Sequence, residues 1–126
     1  MNHILHCLKL EIKCIRAERE ELQGVIDTVL SYGLNRTLIP KCRNLIKHLE
    51  KVEAETERKV IEFEQFIENI PDAEEREMVK LYFIDLMSYE KIGERFYLER
   101  TTVARRIKKY IDTMPYFTSQ GQKQAG

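Results

Sequence analysis

Tryptophan does not occur in this sequence, and glycine and proline are scarce, at five and three of 126 residues. So few chain-breaking residues suit a mostly helical protein better than a many-turned sheet protein. No apolar run approaches the roughly 20 residues that a bilayer span requires, and the opening stretch MNHILHCLKLEIKC carries no basic leader with a cleavage site. These absences predict a protein of the cytoplasm with no membrane partner. Cys7, Cys14 and Cys42 are an odd count at spacings that match no disulfide framework, so they are expected to be reduced, half-buried thiols. Net charge is lacking too, because 21 basic residues balance 21 acidic ones. That excludes a uniformly basic coat for nucleic acid and shifts attention to how the charge is distributed.

The residues of an enzyme are also missing. There is no nucleophile with its base, no phosphate-binding loop and no metal quartet, and the acids Glu74, Glu75 and Glu77 read as the solvated first turn of a helix. Of His3, His6, Cys7 and Cys14, the residues with metal-ligating side chains near the start, His3 and Cys7 would share a helix face, but no second cluster of ligand spacing accompanies them, so neither a metal nor a cofactor is expected. His48, alone among charged neighbours, reads as solvent-exposed.

What is present is long-range helical periodicity. Apolar residues step by three and four through Leu5, Leu8, Ile12, Ile15, then Arg19, Leu22, Ile26 and Val29, a heptad seam with one charged intruder. Gly33 and Asn35, in SYGLNRT, tolerate left-handed backbone and predict a reversal, and Pro40 suits the first turn of a second helix. The rhythm resumes at Cys42, Leu45, Leu49, Val52, Thr56, Lys59, Phe63, Phe66 and Ile70, with Ile46, Val60 and Ile67 widening the stripe. Residues 1–70 are thus expected to form an antiparallel two-helix coiled-coil arm, each helix roughly 40–45 Å long at 1.5 Å per residue. One neighbour covers only part of each stripe, so the arm predicts a homodimer. Two readings stay open for Arg19 and Lys59 on the seam. Either an ion pair with Glu50, Glu53 or Glu55 fixes register, or their stems lie over the seam with their heads in water.

Residues 71–112 read as a small three-helix unit, and 113–126, PYFTSQGQKQAG with the two residues before it, as a mobile tail in which Pro115 ends the last helix and Tyr116 and Phe117 fold back. Asp72 is a candidate cap for a supporting helix of about four turns, with Met78, Leu81, Tyr82 and Leu86 on its apolar face. Ser88 is a candidate cap for a short helix, YEKIGERF, whose central Gly93 predicts a close crossing by another helix. A few residues later RTTVARRIKKYI, residues 100–111, holds five basic residues and no acid. With Val103 and Ile107 inward, the 100° step places Thr101, Arg105 and Lys108 on the opposite face and Thr102, Arg106 and Lys109 on its shoulders. Short helix, tight turn and second helix make a helix-turn-helix spacing. Arg100, Arg105 and Arg106 are the candidate base readers, supported by Thr101 and Thr102, and Lys108 and Lys109 the candidate phosphate anchors.

The stretch DAEEREMVKLYFIDLMSYEKIGERFYLERTTVARRIKKYI resembles the region 4 helix-turn-helix of sigma-70-type factors. It is more similar still to the ArpU/RinA-like late transcription regulators of phages and prophages of Gram-positive bacteria. EREMVKLYFID resembles the supporting helix, SYEKIGERF the following short helix and ERTTVARRIKK the reading helix. Tyr97 stands where such motifs place a turn glycine and Glu99 where they place a Ser cap, so Thr101 could cap instead and start the reading helix two residues later. Val103 and Ile107 are four apart where three is common, which leaves open whether Arg105 or Arg106 reaches deeper. The resemblance implies a regulator in a bacterial host that binds double-stranded DNA and touches RNA polymerase. Two alternatives are a small terminase-like packaging protein, which would assemble as a ring, and a sigma-mimicking inhibitor that holds a host protein such as RNA polymerase.

Overall fold

The computed structural model describes residues 2–114, and the expected behaviour of Pro115, Tyr116 and Phe117 lies outside them. Their regular structure is entirely helical, with α1 (Ile4–Tyr32), α2 (Leu38–Glu68), α3 (Ala73–Phe83), α4 (Tyr89–Phe96) and α5 (Arg100–Ile111). The described residues divide into two compact units, Leu8–Arg58 and residues 2–7 together with 59–114. No described helix is long and apolar enough to cross a membrane.

In the unit of residues 8–58, α1 buries Leu8, Ile12, Ile15, Ile26 and Val29, the positions that its heptad spacing marks. Beside the turn, Ile26 and Val29 pack with Ile39 and Cys42, and Leu22 and Ile46 close the cluster. The turn uses Gly33 at φ +63°, whereas Asn35 acts through its side chain, whose Oδ1 accepts from Thr37 N at 3.0 Å and Thr37 Oγ1 at 2.8 Å. One register expectation fails on α2. Leu45 is 51% exposed, and the buried or half-buried line runs through Ile39, Cys42, Ile46, Leu49, Glu53 and Thr56. Counting by three and four from Ile39, in the first turn, selects Ile46; Leu45 lies about 100° away on the helix surface.

Farther along, the apolar layer gives way to a charged one. Arg16 donates from Nε to Glu53 Oε2 and from Nη2 to Glu57 Oε1, each at 2.8 Å. Arg19 Nη1 lies 2.8 Å from the other Glu53 oxygen, an ion-pair contact without hydrogen-bond alignment, while a third of the Arg19 side chain stays in water. Arg19 thus combines an ion-pair contact to Glu53 with a head partly in water. The bond from Arg16 holds the Glu53 carboxyl below its usual range.

The second unit gathers Leu5, Phe63, Ile67 and Ile70 with the buried faces of α3, α4 and α5. Phe63 meets Phe83 edge to face at 5.0 Å. His6 Nε2, near the start of α1, donates to the Ile84 carbonyl at 2.7 Å. Asp72 caps α3 by accepting from the backbone N–H of Glu74 and Glu75 at 2.9 and 3.1 Å. The helix has 11 residues, three turns rather than four, because the chain leaves it for a left-handed Leu86, φ 55°. Ser88 caps α4 through Oγ, which accepts from Lys91 N at 3.2 Å. Met114 is buried, so packing reaches two residues beyond the boundary expected at 112.

The α4–α5 connection is made by Tyr97, in the left-handed region at φ 59°, ψ 41°. It turns the chain back so that Leu98 N donates to Gly93 O at 2.8 Å, an αL termination normally assigned to glycine. A Cβ on Gly93 would stand 2.5 Å from the Leu98 carbonyl oxygen. The close neighbour expected at Gly93 is therefore the backbone of its own turn, not a crossing helix. The Tyr97 ring is 94% exposed and returns no packing for its unfavourable backbone. Opposite effects follow for two glycine exchanges. Gly93→Ala lowers stability by about 1–3 kcal/mol in spite of alanine's better helix propensity, and Tyr97→Gly raises it by about 0.5–1 kcal/mol, both measured as shifts of the urea midpoint at constant m-value.

Candidate nucleic-acid interface

α5 has 12 residues and buries Val103, Ile107 and Ile111, packing chiefly on α4 and then on α3. It begins at Arg100; Glu99 holds the N-cap position without a side-chain cap bond, and Thr101 does not replace it. The inward line fixes the other faces. Arg100, Thr101, Arg105 and Lys108 are exposed, Thr102 and Arg106 are half-buried, and Lys109 is exposed on the shoulder toward α3.

The five cations of α5 divide into two groups. Arg106 directs its whole guanidinium at the start of α3: Nε donates to Glu75 Oε2 at 2.8 Å, Nη1 to Glu74 Oε1 at 2.7 Å, and Nη2 stands 4.0 Å from Asp72 Oδ2. Lys109 Nζ lies 3.0 Å from Glu75 Oε1 and 3.1 Å from Oε2, and 5.1 Å from the centre of the Tyr110 ring. The Tyr110 hydroxyl donates to Glu75 Oε1. Arg100, Arg105 and Lys108, by contrast, have no carboxylate partner among the described residues. Of the two candidates for the deeper contact, Arg105 faces water and Arg106 faces α3.

The Glu75 side chain is only 7% exposed, which overturns its reading as part of a solvated first turn. Its place on the buried line with Met78, Val79 and Tyr82 is visible as the spacing i, i+3, i+4, i+7; an acid at the head of that series was the available signal. Burial alone pushes a carboxyl up, but the bonds from Tyr110, Arg106 and Lys109 outweigh it and bring Glu75 down to about 2. The same contact, together with burial, pushes the Tyr110 phenol up to about 12. Chemically the cluster is a clamp of α5 on α3. Among the described residues no group of three or more His, Cys, Asp or Glu side chains is arranged to hold a metal ion; His6 is bonded to a backbone carbonyl, and of the three thiols Cys7 and Cys14 are exposed and Cys42 is buried, not half-buried as expected.

Comparison with known protein families, with curated proteins and with solved structures gives no match to this chain. Its possible roles therefore rest on the residues and geometry described above.

The clamp has a pH signature. Glu75 stays ionised in the folded chain down to about 2, whereas an unfolded chain takes up that proton near about 4.3. Its stabilisation is complete above about pH 5 and is lost as pH falls toward about 2. Wild type should exceed Glu75→Gln by about 1–3 kcal/mol at about pH 7, with the gap closing across that window in urea titrations. A gap independent of pH would assign the stabilisation to other groups.

Proposed function

We propose that this chain is a phage- or prophage-type transcription regulator that binds double-stranded DNA. In this reading α4, the turn at Tyr97 and α5 act as a helix-turn-helix supported by α3, and α5 enters the major groove. One observation carries the proposal: Arg100, Thr101, Arg105 and Lys108 share the exposed side of a helix whose opposite side is buried, and the three cations lack internal partners among the described residues. Arginine forks and threonine hydroxyls at the first turns of such a helix suit base edges, and Lys108, farther along, suits a phosphate. The resemblance to sigma-70 region 4 and to ArpU/RinA-like regulators supports the same reading, and a contact with RNA polymerase enters through that resemblance alone.

The proposal includes an antiparallel coiled-coil arm, residues 1–70, that pairs two copies. Exposed Leu10, Val25, Leu30, Leu38 and Leu45 on α1 and α2 support a further apolar contact there. Two reading helices on a symmetric dimer would address half-sites about 34–36 Å apart or a multiple of that spacing.

The test begins with fluorescence anisotropy on a random duplex at two salt concentrations, followed by selection of preferred sequences from a random pool. On a selected duplex, Arg105→Ala should cost about 1–3 kcal/mol of binding. Lys108→Ala should weaken all duplexes alike and flatten the dependence of log K on log salt by about one unit. Unchanged binding in both variants removes α5 from the contact. Light scattering separates the assemblies, since a ring of many copies favours the packaging reading. Capture of RNA polymerase without any duplex binding favours the inhibitor.

A further inference from the structure

Glu75 stands apart from the proposed DNA face, and yet it controls two of the five cations on the helix that carries that face. We infer that Glu75 is a positioning residue for DNA reading: it withholds Arg106 and Lys109 from the phosphate backbone and so sets which edge of α5 meets the groove. The inference rests on the DNA-binding reading and adds to it a residue on another helix.

The geometry supports this in three ways. Arg106 presents Nε, Nη1 and Nη2 toward Glu75, Glu74 and Asp72 at 2.8, 2.7 and 4.0 Å, so the guanidinium surface that would grip a phosphate is already occupied by anions. Glu75 itself is buried and receives Lys109 and the Tyr110 hydroxyl as well, so the donors that surround it come from one edge of α5. Finally, Arg105 and Arg106 are neighbours about 100° apart on the helix, and both are long enough to compete for one strand. If both were free, two arginines would offer two rotations of α5 in the groove. With Arg106 tied to α3, the edge formed by Arg100, Thr101, Arg105 and Lys108 remains.

Phosphate attraction is blind to sequence, whereas base contacts depend on rotation and register. Holding back two cations therefore lowers the sequence-independent part of binding and keeps the sequence-dependent part. Removing the charge of Glu75 should have the reverse effect. Simple damage to the fold would weaken every interaction; it would not strengthen the salt dependence.

The experiment measures the slope of log K against log salt on a random duplex, together with the ratio of affinities for a selected and a random duplex, using the full chain. Glu75→Gln should steepen the slope by about one to two units, at roughly 0.9 per newly neutralised phosphate, and lower the affinity ratio about tenfold. The triple variant Glu75→Gln, Arg106→Gln, Lys109→Gln should return the slope to that of wild type. Arg106→Gln alone, with Glu75 intact, should leave the slope unchanged, and this variant decides the matter if Glu75→Gln does not fold. An unchanged slope in folded Glu75→Gln overturns the inference, as does a slope flattened by about one unit in Arg106→Gln, because that arginine would already be on phosphate. If wild type binds no duplex, the DNA reading itself fails first, and this inference falls with it.

Discussion

A carboxylate nearly out of reach of water can remain charged only if its surroundings replace the lost hydration, and Glu75 meets that condition with three donors from one helix. The apolar side of α5 determines that the helix is buried on α3 and α4. Val103, Ile107 and Ile111 are buried, and as β-branched side chains they hold essentially one χ1 rotamer on a helix, so their packing already restricts the roll of α5 about its axis. The charged contacts are directional and are satisfied at one rotation. The division of the α5 cations into an inner pair and an outer set is made by this acid, at the rotation that the buried apolar side of the helix also requires. Removal of one partner from such a cluster is far costlier than its net contribution, because it strands the others.

The second constraint sets where α5 begins. The chain leaves α4 through a left-handed Tyr97 and folds its Leu98 carbonyl onto Gly93, at a distance that no side chain at position 93 would allow. Asp72 and Ser88 fix the starts of α3 and α4 in the same local manner, by accepting from backbone N–H groups that the helix itself cannot satisfy. Three short helices are thereby placed by caps and one tight turn, with Phe83, Ile92 and Val103 filling the space between them. The proposed DNA face requires no further device. It is the part of α5 that neither the core nor α3 takes up.

Much of this was legible in the residues. The α1 seam, both caps, the break between α4 and α5 and the inward line of α5 follow from periodicities of three and four and from the preferences of Ser, Asp and Gly. Register on α2 was not, because Leu45 and Ile46 are both apolar and adjacent, and only the position of Ile39 within the first turn decides between them. The reason for Gly93 was half legible: close approach was implied by the residue, but the partner is the carbonyl of Leu98, the second residue of the connection, set by the backbone of Tyr97. Glu75 was missed because acids at a helix start are ordinarily explained by the helix dipole. Its cationic partners lie 31 and 34 residues away, beyond any local pattern. Whether α5 meets DNA belongs to the proposal, which the fold accommodates and the resemblance suggested.

The central claim, that the outer edge of α5 meets a duplex while its inner edge stays on α3, can be read residue by residue in solution. Side-chain Nε–Hε resonances of the arginines, followed by NMR during titration with a short duplex, report each guanidinium separately. The account predicts that Arg100 and Arg105 shift while Arg106 keeps its free-state position. A shift of Arg106 with Arg105 unmoved would contradict it.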